Sequence, residues 1–392
     1  MNNTDKNAFD LVMQMMAIPG KSCEERAIAE FVREQLLAAG ADEQAMRFDT
    51  AHKRTPDRGE VGNLIFKLPG TVRQPRRLLM AHLDTVPICV GSQPVRRGNL
   101  VRSADPTTGL GADDRAGAAV VLNAALRILT DNLPHPPLTF FWTVQEEIGL
   151  QGARCASIGP LGRPRLAFNF DGGSPDKVTI GATGGYRLAI DIRGIASHAG
   201  GAPEQGVSAI AIAALAIAEL QRAGWHGDIH HNGKHGTSNV GVIQGGEATN
   251  VVTDHVLIKA EARSHDGKFR QQIVKQIESA FQRAVKEVRN IKGKRGKVHV
   301  DGRLDYDSFV LSQDEPCVRE AIAAIESAGC QPQLAIANGG VDANWMVKHG
   351  IPTVTIGAGQ LNQHMVSEAL DVKKYLAACQ IGLQLATTTD SE

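Results

Sequence analysis

Apolar residues recur at helical spacing from Cys23 to Ala39, and Gly40 ends the run. Ser22, with Glu25 three positions on, reads as a capping box at its start. The first element predicted is therefore a helix. Short apolar runs without clean alternation follow at Asn63–Leu68, Arg77–Ala81, Leu138–Val144 and Leu166–Phe170, with a helical stretch, Arg115–Leu129, among them. Such runs are the signature of buried strands in a largely parallel sheet covered by helices on both faces.

From about Tyr186 the pattern changes. Arg187–Ile192 alternates, an Ala/Ile-rich helix covers Val207–Ala223, and strands fall at Asn239–Ile243 and His255–Glu261. A long amphipathic helix then spans Phe269–Asn290 before a short strand after Gly296. This pattern predicts an antiparallel sheet buried on one face, within a compact α+β unit. After Asp305 the first texture returns, with helices at Pro316–Ala328, Asp342–Lys348 and Val372–Ala386 and a strand at Pro352–Ile356. The expected architecture is an α/β domain with a central mixed, mostly parallel sheet in two segments, 1–184 and 306–392, and a smaller domain inserted at 185–305.

Composition narrows the function. The chain has 392 residues, 42 of them basic and 42 acidic, so its formal net charge is zero. It projects no global field toward a polyanion, and neither nucleic acid nor a membrane surface is expected as a partner. The six cysteines, Cys23, Cys89, Cys155, Cys317, Cys330 and Cys379, show no C-x-x-C spacing and are expected to be reduced and mostly buried. Met1 to Lys6 and the residues after them lack a basic segment leading into an apolar stretch, and no window resembles a membrane span. A soluble cytoplasmic protein is expected. Glycine, at 41 residues, is in excess and implies many sharp turns.

The acids and histidines that stand out fall where the predicted strands end, the edge at which an open α/β sheet binds ligands. Arg77–Ala81 runs directly into His82 and Asp84, which at i and i+2 on an extended segment point the same way; one can ligate a metal while the other orients it. Asp113 and Asp114 lie between the turn Gly109–Gly111 and a helix start, where a helix cap alone would explain them. Glu146 and Glu147 follow Leu138–Val144, and adjacent side chains on an extended segment diverge, so one can hold a metal while the other moves protons. Asp171 ends Leu166–Phe170, and His364 lies in a loop beyond Gly357-Ala358-Gly359. Singly these are turn formers and surface groups; together they are a donor set suited to paired zinc ions, with one carboxylate left over as a base.

The motifs His82-Leu83-Asp84-Thr85-Val86, Gly111-Ala112-Asp113-Asp114-Arg115-Ala116-Gly117, Glu146-Glu147-Ile148-Gly149 and Asp171-Gly172-Gly173, with the late His364, resemble in order and spacing those of the co-catalytic di-zinc exopeptidases related to tripeptidase T, aminoacylase and glutamate carboxypeptidase. Gly339-Gly340-Val341-Asp342-Ala343-Asn344 adds to a likeness that covers nearly the whole chain and is greatest to the tripeptidase T-like branch.

The resemblance implies a zinc-exopeptidase-like fold whose inserted, ferredoxin-like domain serves as dimerisation surface and lid. It implies two zinc ions per subunit, replaceable by cobalt or manganese, with Asp113 bridging them, His82 and Asp171 on one, and Glu147 and His364 on the other. Glu146 would be the general base toward a water held between the metals, and Asp84 the partner of His82. The bond from Asp113 to Asp114 would be cis. In the inserted domain, His198 of Gly194-Ile195-Ala196-Ser197-His198-Ala199-Gly200 would reach the other subunit's site in a homodimer, and Asn250 and Arg263 would bind the substrate's polar backbone or terminal carboxylate. Arg263 can equally form a structural bridge to Glu261 or Asp266.

The activity implied is removal of the N-terminal residue from short peptides, tripeptides first, since Asp171 stands where carboxypeptidase relatives tend to have Glu. The alternatives are an N-acyl-amino-acid amidohydrolase or carboxypeptidase-type enzyme on the same metals and, outside enzymes, a metal-free dimeric binding protein. Three features are read as uninvolved. Gly20-Lys21-Ser22 imitates a phosphate loop, but Met15 stands where glycine is required and a helix cap accounts for Ser22. His230, His231 and His235 are expected in an exposed hairpin, and the basic run Lys292, Lys294, Arg295 and Lys297 in a solvated loop.

Overall fold

The computed structural model describes residues 2–387. Met1 and the end of the 306–392 segment, residues 388–392, lie outside the described residues. The chain divides into two compact units: residues 2–182 with 310–387, and Thr183–Phe309. The inserted unit thus extends beyond the 185–305 expected from the hydrophobic pattern.

The larger unit opens with a helix that the hydrophobic pattern had not singled out, Asn3–Ala17. Asn2 caps it by accepting the N–H of Asp5 at 2.8 Å, and Ala8, Leu11, Val12, Met15 and Met16 form its buried stripe. The expected first helix is the second, Arg26–Ala38, and its capping box does not form. Ser22 instead donates to Asp84 Oδ2 at 2.6 Å, and Glu25 accepts the N–H of Cys23 at 2.8 Å. Asp84 and Glu25 are both fully buried, and buried carboxylates take the donors that reach them.

Seven strands of the central sheet lie in the order Met46–Phe48, Leu64–Leu68, Leu138–Thr143, Arg77–His82, Leu166–Phe170, Thr353–Ile356 and Lys177–Ala182, with Gln333–Ala337 beside the last. Leu138–Thr143, Arg77–His82, Leu166–Phe170 and Thr353–Ile356 run parallel, and the flanking pairs around them are antiparallel, so the sheet is mixed. Every residue of Arg77–His82 and Leu138–Thr143 is buried, which explains their unbroken apolar runs.

The helix Ala112–Asp131 is buried on nearly all sides, packing on Arg77–His82, Asn3–Ala17 and the final helix Val372–Thr387. Its alanines and glycine permit that closeness: a Cβ on Gly117 would stand 2.0 Å from the Phe170 carbonyl oxygen. A small second sheet joins Pro94–Arg97, Leu100–Ser103, Ala369–Asp371 and Gln360–Leu361. Each of these strands is only two to four residues long, too short for a periodic signal.

The inserted unit is a five-stranded antiparallel sheet, in the order Gly227–His231, Lys234–Gly245, His255–Ser264, Gly184–Arg193 and Lys297–Tyr306. Leu188, Ile190 and Ile192 alternate inward with Val256, Ile258, Ala260 and Ala262, against the helices Ala209–Arg222 and Gly267–Glu287. All six cysteines are free thiols; Cys89, Cys317 and Cys379 are buried, while Cys23, Cys155 and Cys330 are half-buried. Among the described residues no helix is long and apolar enough to cross a membrane.

Candidate metal centre

The four parallel strands deliver the site because their carboxyl ends open on one edge of the sheet. Glu146 and Glu147 follow Leu138–Thr143, His82 closes Arg77–His82, and Asp171 follows Leu166–Phe170. The chain after Thr353–Ile356 reaches His364, on the connection between the paired strands Gln360–Leu361 and Ala369–Asp371. Asp113 comes from the turn that opens the buried helix Ala112–Asp131.

Asp113 is the hub of this arrangement. Its Oδ1 lies 3.3 Å from His82 Nε2, and its Oδ2 lies 3.3 Å from His364 Nε2. Asp171 joins His82 and Asp113 in one cluster, and Glu147 joins Asp113 and His364 in a second; in each, the candidate donor atoms lie within 4.8 Å of one another. His364 Nε2 is also 2.9 Å from Glu147 Oε2. The two oxygens of one carboxylate thus face two different histidines, an arrangement that can serve two cations at once. Neither cluster includes Glu146, although its Oε2 is 4.0 Å from His82 Nε2.

Asp84 organises more than the sequence suggested. Its carboxylate is 3.5 Å from His82 Nδ1 and its backbone carbonyl 3.0 Å from the same nitrogen, which leaves Nε2 for a metal. The same carboxylate accepts the N–H of Glu146 at 2.9 Å and of Glu147 at 3.2 Å. One buried acid therefore orients the histidine and the glutamate pair together.

Crowding shows in the protonation of the group. Burial, reinforced by the charge of Asp113, pushes the Asp171 carboxyl up to about 7, and burial pushes Glu147 up to about 7 against its hydrogen bond from His364. Glu146 stands well above its ordinary value because it is buried and faces Glu147, Asp342 and Asp171. Burial alone would lower His82, but hydrogen bonds to Asp113 and Asp84 hold it well above the ordinary imidazole range. His364, bonded to Asp113 and Glu147, is raised to about 10. These donors, imidazole nitrogen and carboxylate oxygen gathered without a lysine or arginine among them, fit borderline divalent metal ions.

The peptide from Asp113 to Asp114 is cis. Asp114 performs the cap that the sequence offered for the pair: its Oδ1 accepts the N–H of Gly117 at 3.0 Å, and its Oδ2 accepts the N–H of His82 at 3.2 Å. Sequence reasoning missed three supporting acids. Glu368, fully buried, accepts the N–H groups of Leu110 at 2.8 Å, Gly111 at 2.7 Å and Asp113 at 2.9 Å. Glu25 accepts the N–H of Gln145 at 3.1 Å, holding a residue with φ of 57° directly before the glutamate pair. Asp342 accepts the Thr143 hydroxyl, and its Oδ1 is buried without a hydrogen-bond partner. Asp342 sat in a motif already singled out; Glu368 had no local signal, since its partners lie more than 250 positions away in the chain.

His198, Asn250 and Arg263 belong to the inserted unit. His198 and Asn250 lie on adjoining loops, tied by the N–H of Ala199 donating to the Asn250 carbonyl at 2.9 Å. His198 Nδ1 accepts the N–H groups of Gly200 and Gly201 at 3.1 and 3.0 Å, so its proton is on Nε2. Arg263 forms a forked pair with Glu261 at 2.9 and 3.0 Å, the structural bridge that its spacing had left open.

Comparison with known families matches residues 78–388 to Peptidase family M20/M25/M40. The chain belongs to this family. Among solved structures, this M20 chain is similar to a tripeptidase from Staphylococcus aureus subsp. aureus Mu50, with a TM-score of 0.86 at 28% identity and 98% of each chain covered. It is similar also to the aminopeptidase PepT of Bacillus cereus, with a TM-score of 0.80 at 30% identity and again 98% of each chain. A curated relative, the uncharacterized protein YqjE of Bacillus subtilis, is 29% identical over 380 residues, 96% of either chain. This M20 member is thus a peptidase of the tripeptidase T-like branch, in a metal-dependent family.

Proposed function

We propose that the protein is a two-metal aminopeptidase that removes the N-terminal residue from short peptides, tripeptides first. The observation that carries this reading is the division of Asp113 between His82 and His364. Asp113 would bridge two zinc ions, with His82 and Asp171 on one and Glu147 and His364 on the other; cobalt or manganese would substitute. Bound there, the metals supply Lewis acidity that activates a water and polarises the scissile carbonyl.

The remaining work falls to side chains. Glu146, outside both clusters and adjacent to a ligand, takes the proton of the attacking water as oxygen adds to the carbonyl carbon. It passes that proton to the amine nitrogen as the C–N bond breaks, so the base returns unchanged. Asp84 holds His82 and the two glutamates in register through this cycle. The working unit proposed is a homodimer, in which His198 offers its Nε2–H to the developing oxyanion in the partner subunit's site. Asn250 and Arg263 are proposed to bind the substrate's backbone or terminal carboxylate, and free thiols suit a cytoplasmic setting.

The test is a peptide panel with the metal-loaded enzyme, varying length, free or acylated amine, and free or amidated carboxylate. Release of the first residue from free-amine tripeptides supports the reading. Cleavage of acylated amino acids, with none of free-amine tripeptides, would replace it with an amidohydrolase.

A further inference from the structure

The histidine tract lies in an exposed hairpin, and the hairpin assembles a second set of metal donors. Gly227–His231 and Lys234–Gly245 are joined by Asn232-Gly233, both with positive φ, in a two-residue turn whose register sets His230 directly opposite His235. The pair next to the closing pair of such a hairpin is the closely spaced, non-hydrogen-bonded kind, and the two rings lie 4.7 Å apart between centroids. Asp228, two residues before His230, points to the same face while Ile229 turns into the core. Its two oxygens divide between the rings: Oδ2 is 3.0 Å from His230 Nε2, and Oδ1 is 2.7 Å from His235 Nε2.

We propose that Asp228, His230 and His235 form a surface site for a divalent ion of the zinc, nickel or copper class, separate from the Asp113 centre. All three candidate donor atoms lie within 4.8 Å of one another. Metal–nitrogen and metal–oxygen bonds of about 2.0 to 2.2 Å in a tetrahedron set donors about 3.4 Å apart, so small side-chain rotations suffice. Each imidazole moves its proton to Nδ1, and water fills the open position. Lys234, the nearest cation in sequence, is held away by its 2.8 Å ion pair with Asp266. His231 faces the other way, 5.1 Å from the Trp225 ring, and takes no part. Gly227–His231 is an edge strand with one neighbour, so an ion shared between His230 and His235 would staple that edge to the sheet.

Equilibrium dialysis of the metal-loaded full chain against zinc tests this, with wild type beside a His230→Ala/His235→Ala double variant and a His231→Ala control. Wild type and His231→Ala should hold one more zinc per chain than the double variant, whatever number the Asp113 centre takes. Zinc should also slow amide exchange in residues 227–231 of wild type and not of the double variant. Equal stoichiometry in wild type and the double variant, or zinc-independent exchange at that edge, would overturn the proposal and leave Asp228 as a hydrogen-bonded partner of two histidines.

Discussion

His82, Asp113 and Asp171 offer a metal the same kinds of atom, at similar spacing, as Asp228, His230 and His235. In the first group His82 and Asp171 lie at the carboxyl ends of buried parallel strands and Asp113 on the turn that opens a buried helix, while the side chains of the second are 45 to 72% exposed. Water makes the difference. In the exposed triad hydrogen bonds from His235 and His230 lower the Asp228 carboxyl, and the group is satisfied as it stands. In the buried centre burial drives Asp171 and Glu147 upward, so the acids must either bind protons or share a stronger cation. The same residue types can therefore make an adjustable surface clip in one place and a preorganised centre in the other.

The largest effect that would break this contrast is catalytic. Glu146→Gln should retain the metals and lose peptidase activity by about 10³-fold or more, read as kcat on a free-amine tripeptide beside metal analysis. Undiminished turnover would remove Glu146 from its role.

Metal removal probes the buried acids directly. Glu147 and Asp171 stand at about 7 in the fold against ordinary values of 4.5 and 3.8, so the folded chain binds more protons than the unfolded one between those limits. Metal-free protein should lose stability as pH rises through that window, and the raised histidines continue the trend above 6.5. Zinc competes with those protons and should abolish or reverse the slope of Tm against pH.

Packing effects come next. Gly117→Ala forces a Cβ to within 2.0 Å of the Phe170 carbonyl oxygen and should cost about 3 kcal/mol in denaturant unfolding. Glu368→Ala strands three backbone N–H groups below Asp113 and should cost about 2 to 3 kcal/mol. The smallest effect is expected at the surface: His235→Ala should change stability by less than about 0.5 kcal/mol and leave peptidase turnover as it was.

Legibility in the sequence followed the same division between local and distant causes. Arg77–His82, Leu138–Thr143 and Leu166–Phe170 could be read because strands buried on both faces leave unbroken apolar runs, and Asp84, Glu146, Glu147 and Asp171 stood out because they follow those runs. The helix Asn3–Ala17 was missed, as were the two- to four-residue strands around His364. The capping box misled because Ser22 and Glu25 satisfy donors and acceptors around Asp84 and Gln145, contacts set by tertiary closure. Glu368 was invisible for the same reason. The turn before it and the strand after it located the histidine tract in a hairpin, but only the cross-strand register set His230 against His235.

The central claim is that Asp113 is shared between two metal ions. Anomalous diffraction at the zinc edge, from crystals of the zinc-loaded protein, tests it most directly. Two peaks are expected, one between Asp113, His82 and Asp171 and the other between Asp113, Glu147 and His364. A single peak on one side of Asp113, or peaks that leave Asp113 uncoordinated, would contradict it.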